Sequence, residues 1–73
     1  MSSVERAKRA QSRILRMREV EHRCGLKKSS IYRMIAEGTF PRNLSLGGSA
    51  RGWLECEIDD WIASRVELRE AAA

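Results

Sequence analysis

The sequence is poor in the residues that staple small proteins together. It has two cysteines, Cys24 and Cys56, in no C-x-x-C spacing, and one histidine, His22. That rules out a disulfide framework and leaves too few ligands for a structural zinc site. Both cysteines fall where a helical apolar face would place a small residue, so they are expected to be reduced core residues. His22 lies off such a face and is expected in solvent. No run approaches the ~20 apolar residues of a membrane span, and the basic first residues lack the apolar stretch of a signal peptide. The chain is therefore expected to be cytoplasmic, with no membrane partner. Nor does it contain a Ser, His and Asp set, a cluster of metal ligands or a phosphate-binding glycine loop. The expectation is a protein that is not an enzyme and needs no cofactor. At 73 residues it is one small domain that carries its function on its surface.

Charge is plentiful and unevenly spread. Residues 1–53 hold twelve Lys and Arg against four Glu, whereas residues 54–73 hold two Arg against six Asp and Glu. A basic body followed by an acidic segment suggests one face for a polyanion and another turned away from it.

Ser2-Ser3-Val4-Glu5 fits a capping box, but the stretch from Arg6 to Arg13 has no strong apolar face. Residues 1–13 are read as a basic arm, either a disordered end or a segment that tracks a DNA backbone. Ile14-Leu15-Arg16-Met17 is a short apolar run, a strand or an entry segment. Met17, Val20 and Cys24 share one face of a short helix over 18–24, which Gly25 stops. Ile31, Met34 and Ile35 form the buried face of a second helix over Lys28 to Glu37, closed by Gly38. The link between them is only Gly25-Leu26-Lys27, the pattern of a helix-turn-helix. The single proline, Pro41, starts an extended segment. Asn43-Leu44-Ser45-Leu46 alternates as a strand does, Gly47-Gly48-Ser49 turns, and Arg51-Gly52-Trp53-Leu54 returns. Leu44, Leu46 and Trp53 are expected to pack this hairpin on the helices, since a lone hairpin is only marginally stable. A last helix runs from Glu55 to about Arg69, with Leu54, Ile58, Trp61, Ile62 and Val66 on its apolar face and acids in its first turns. Ala71 to Ala73 are expected to fray. The fold class is mainly α with a small β-hairpin, a winged helix-turn-helix over residues 14–70.

The second helix of such a motif enters the major groove, with its N-terminal residues at the base edges. Here that region offers Lys27 and Lys28 to phosphates, Ser29 and Ser30 to a phosphate or a base edge, the Tyr32 hydroxyl to the backbone, and Arg33 to a guanine or a phosphate. The hairpin adds Arg42, Ser49 and Arg51, with no acid between Thr39 and Leu54. The partner these residues imply is double-stranded DNA. The competing reading is a small module that binds another protein.

The segments Arg18-Glu19-Val20, Gly25 to Arg33, Glu37-Gly38-Thr39-Phe40-Pro41, Leu46-Gly47 and Trp53 to Ile62 resemble, in order and spacing over residues 14–66, the AlpA family of phage and prophage regulators. That family is similar in fold to MerR-like winged helix domains and phage excisionases. The resemblance implies a DNA-binding transcriptional regulator of a mobile element, often one that promotes excision, with an integrase or neighbouring copies of itself as partners. The chain departs from the family at four places. Lys27 stands where Ser usually caps the recognition helix, Asn43 for a usual Pro, Ser45 for a usual basic residue and Cys56 for a usual Ser. Without its Ser cap, the helix is expected to start later, at Ser29, or to be weak in its first turn.

Overall fold

Ser2 opens the first element: its Oγ accepts the amide of Glu5 at 3.2 Å, at the head of a helix, α1 (Ser3–Ala10). The computed structural model describes residues 2–72. Met1 and Ala73, the outermost residues of the arm and tail read from the sequence, lie outside the described residues. Where the sequence leaves the arm between a disordered end and a basic segment, the structure has a helix whose Arg9 reaches Glu57 at 3.4 Å. After α1 come β1 (Ile14–Leu15), α2 (Met17–Cys24), α3 (Lys28–Glu37), β2 (Leu44–Gly47), β3 (Ala50–Leu54) and α4 (Glu55–Ala72).

The hairpin is part of a three-stranded antiparallel sheet in the order β1-β3-β2, because Ile14 and Leu15 pair with Leu54 and Trp53. This close approach depends on Gly52. A Cβ there would lie 2.6 Å from Ile14 Cγ2 and 3.1 Å from both the Leu15 carbonyl oxygen and Leu46 Cδ1, so a side chain would push the strands apart. The same ladder sets the start of α4. The Glu55 amide donates to the Arg13 carbonyl at 2.8 Å, and the Cys56 amide donates to Ser12 Oγ at 3.0 Å. Two of the unpaired amides at the head of α4 are thus satisfied by the segment that enters β1.

The core is assembled from one side chain of each packed segment: Leu15 of β1, Val20 of α2, Ile31 of α3, Phe40 of the loop after it, Trp53 of β3 and Ile58 of α4. Each such burial is worth about 1.5–3 kcal/mol. Met17, Cys24, Leu26, Met34, Ile35, Trp61 and Ile62 are half-buried around it. Leu44 and Leu54 are half-buried, and two other residues expected to pack are exposed. Leu46 is 40% exposed, because the bulge between Ser45 and Gly47 takes it out of register. Val66 is 42% exposed, because α4 outruns the small body it packs on. The helix also continues past Arg69 and includes Ala71 and Ala72. Cys24 and Cys56 are free and half-buried, and His22 is exposed, as expected from its place off the apolar face. Burial pushes the Cys24 thiol above its ordinary value, against a smaller opposing pull from Arg23. No helix among the described residues is long and apolar enough to cross a membrane.

Candidate nucleic-acid interface

The turn between α2 and α3 is set by Gly25, whose φ of 68° is left-handed and whose amide closes α2 onto the Glu21 carbonyl at 2.9 Å. Lys27 then stands at the cap of α3 in extended conformation, with no side-chain hydrogen bond to give. The helix nevertheless starts at Lys28, not at Ser29. The missing cap is supplied from the preceding helix: Glu21 Oε2 accepts the Lys28 amide at 3.2 Å. The carboxylate also places negative charge at the positive end of the α3 dipole.

At about 100° per residue, the positions of α3 sort onto distinct sides. Ile31 is buried, with Met34 and Ile35 half-buried beside it. Ser29 and Arg33 stand opposite, on the outermost face, both exposed. Lys28 and Tyr32 lie one turn apart on the side toward the wing, and Ser30 is half-buried on the far flank.

The wing is the hairpin of β2 and β3, with Gly48 and Ser49 at its tip. Two indoles hold the loop that connects it to α3. Trp53 Nε1 donates to the Pro41 carbonyl at 2.9 Å, and Trp61 Nε1 donates to the Thr39 carbonyl at 2.8 Å. Between them Phe40 meets Trp61 edge-on, with ring centroids 4.8 Å apart. Both indole donors are thereby satisfied, and the wing cannot swing without breaking one of them.

Helix and wing enclose a groove of about 280 Å³ lined by Arg16, Met17, Arg18, Lys28, Tyr32, Ser49, Arg51 and Trp53. Of the residues singled out from the sequence, Lys28, Tyr32, Ser49 and Arg51 meet here. Lys27, Ser29, Ser30, Arg33 and Arg42 do not line it; Lys27 is exposed at the helix cap and Arg42 is exposed in the loop before the wing. Arg16 and Arg18, which the sequence does not single out for the interface, also line the groove; Arg16 falls within the apolar run and Arg18 at the start of the helix after it. The signal that finds them is their spacing about Met17, which turns inward and leaves its neighbours outward.

Ion pairing sorts the charges. Glu55, Glu57 and Asp59 at the head of α4 pair with Arg9, Arg13 and Arg23, at distances from 2.5 to 3.7 Å. Arg13 also meets Glu19. The Asp59 carboxylate holds the Arg23 guanidinium above its usual value. Such exposed pairs contribute little stability. Their larger effect is on the field, since they neutralise one side. Arg16, Arg18, Lys27, Lys28, Arg33, Arg42 and Arg51 form no ion pair among the described residues, and all belong to the start of α2, to α3 with its cap, or to the wing and its approach.

Residues 13–66 match the family described as prophage CP4-57 regulatory protein (AlpA). An uncharacterized protein, ORF88, of Enterobacteria phage P4 is 47% identical over 60 residues, which cover 82% of this chain and 68% of that protein. The DNA-binding transcriptional activator AlpA of Escherichia coli K12 is 35% identical over 66 residues, covering 82% of this chain and 94% of that one. The match takes in the turn, both helices, the wing and the packed half of α4, and this chain belongs to the AlpA family of prophage regulatory proteins.

Proposed function

We propose that this chain is a sequence-specific DNA-binding regulator of transcription from a phage or other mobile element, and that it also promotes excision beside an integrase. The observation that carries the reading is the sorting of charge. Arg9, Arg13 and Arg23, beside the head of α4, are paired with its acids and Arg65 lies over the Trp61 ring, whereas the cations of the helix-wing face are left for an external polyanion. The description of the E. coli relative as a DNA-binding transcriptional activator agrees with it. Ser29 and Arg33 on the outer face of α3 are the base readers. Lys27, Lys28, Tyr32, Arg42, Ser49 and Arg51 hold the backbone. The chain acts by binding, without catalysis.

Exposed Val66 and Leu68 on the outer half of α4 favour a second contact, with an integrase or a neighbouring copy, on the side away from DNA. Gel retardation and footprinting on the promoter and attachment regions of the element test both parts. Salt-sensitive retardation is expected, with protected sites at the promoter for transcriptional control and in the attachment region for excision. Absence of retardation at low salt overturns the DNA reading in favour of a protein-binding module.

A further inference from the structure

The edge of β3 that faces β1 carries an unfinished ladder. Glu55 donates to Arg13 across this edge, and Leu15 pairs with Trp53. The next rung would set Met17 against Arg51, but by Met17 the chain has turned into α2. The Arg51 carbonyl is thus left without a backbone partner on that edge. Arg16 supplies one from its side chain: Nε donates to the Arg51 oxygen at 2.9 Å. Its own amide is held by Glu19 Oε1 at 3.3 Å, so the residue is fixed at both ends.

Only one of the five guanidinium donors is used in this bond. The terminal nitrogens have no partner among the described residues, and Arg16 lines the helix-wing groove with Arg18, Lys28 and Arg51. No acid lines that groove. Four cations in so small a space repel one another unless an anion enters. When α3 occupies the major groove and the wing lies at the adjoining minor groove, the strand of phosphates that divides the two must pass between helix and wing.

We infer that this groove seats a backbone phosphate of the bound duplex, gripped by Arg16, Arg18 and Lys28, with Arg16 at once holding that phosphate and the wing. The inference rests on the DNA-binding reading and adds a site to it. Tyr32 and Ser49 supply neutral hydroxyl donors at the rim. Because one planar side chain makes both contacts, phosphate binding and wing position are a single event, and Lys in place of Arg16, a compact ammonium without the planar fork, spans the two acceptors less well.

The test uses the full chain and a duplex of random sequence, with affinity measured by fluorescence anisotropy at several salt concentrations. Arg16→Gln and Arg18→Gln are each expected to weaken binding roughly tenfold and to lower the log–log salt slope by about one unit. Arg16→Lys keeps the charge and hence the slope, yet is expected to lose several-fold in affinity. Arg69→Gln, at the far end of α4, leaves both quantities unchanged. In nitrogen-edited NMR of the wild-type chain, the Arg16 Nε–H signal should shift at saturating duplex. Binding that survives Arg18→Gln with an unchanged slope, in a protein that folds normally because Arg18 makes no internal ion pair, overturns the groove assignment alone. An Arg16 Nε–H signal that does not respond to the duplex does the same. Failure of the wild-type chain to bind any duplex at low salt overturns the DNA reading and the groove together.

Discussion

Arg33 and Arg51 are both exposed arginines, yet their surroundings assign them different work. Arg33 stands with Ser29 on the outermost face of α3, which the proposed binding mode turns to base edges; Arg51 sits in β3 beside the groove, which that mode turns to backbone. Arg33→Ala is expected to cost roughly 1–3 kcal/mol on the specific site and to reduce its preference over random DNA. Arg51→Ala should weaken both sites by similar factors and lower the salt slope by about one unit. Paired titrations on specific and scrambled duplexes measure the difference, and the reverse pattern would make the wing the reader. The two tryptophans separate in a similar way. From the sequence, Trp61 between Ile58 and Ile62 is the expected anchor of the core. In the structure Trp53 is fully buried and Trp61 only half so, because the end of the body falls at Trp61. Trp53→Ala should therefore destabilise by ~3–5 kcal/mol, close to the whole stability of so small a domain, and Trp61→Ala by clearly less. Denaturant midpoints of the two variants decide it.

At the level of elements, α3 owes its first turn to a residue outside itself. Glu21→Ala removes the acceptor of the Lys28 amide and should cost about 1 kcal/mol, the usual size of a lost cap. Amide exchange at Lys28 should rise in that variant while exchange in α4 stays as it was. Local and distant signals part here. The bounds of α3 are legible in the sequence, since the apolar spacing of Ile31, Met34 and Ile35 and the closing Gly38 are local. Its cap is not, because Glu21 is seven residues away and comes near only when α2 folds back. Likewise Ile14 and Leu15 read as either a strand or an entry segment, and only their pairing with β3 makes them a strand. Of the candidate interface, the residues on α3 and the wing are readable from helical phase and turn chemistry. Arg16 and Arg18 are readable as outward-facing from their spacing about Met17, but their place at the groove is not, because it depends on the route taken from β1 into α2. The exposure of Leu46 depends on a bulge, and no alternation of residues announces it.

For the molecule as a whole, the sorting of charge bears directly on how tightly it holds DNA. Arg9, Arg13 and Arg23 are engaged with acids of its own, so they should release few counterions on binding. The seven cations of the helix-wing side face the proposed DNA surface without an ion pair among the described residues, and a log–log salt slope of about −3 to −6 is expected, at ~0.9 per neutralised phosphate. A flat salt dependence would contradict that distribution. Replacing Asp59 by Asn should leave the slope near its wild-type value, because Arg23 keeps Glu55 at 3.4 Å and lies on the α4 side, not in the helix-wing groove; the comparison needs only anisotropy at four or five salt concentrations. The two indole bonds that fasten the loop between α3 and the wing have a consequence for the sequence on the other side of the contact. They make the protein a ruler. Helix and wing advance on the duplex at one fixed separation, so the bases met by one and the flanking steps met by the other must keep a constant spacing. Each inserted base pair would carry one of them roughly 3.4 Å along the axis and about a tenth of a turn around it. Binding sites of this chain should therefore tolerate altered letters better than an added or missing one.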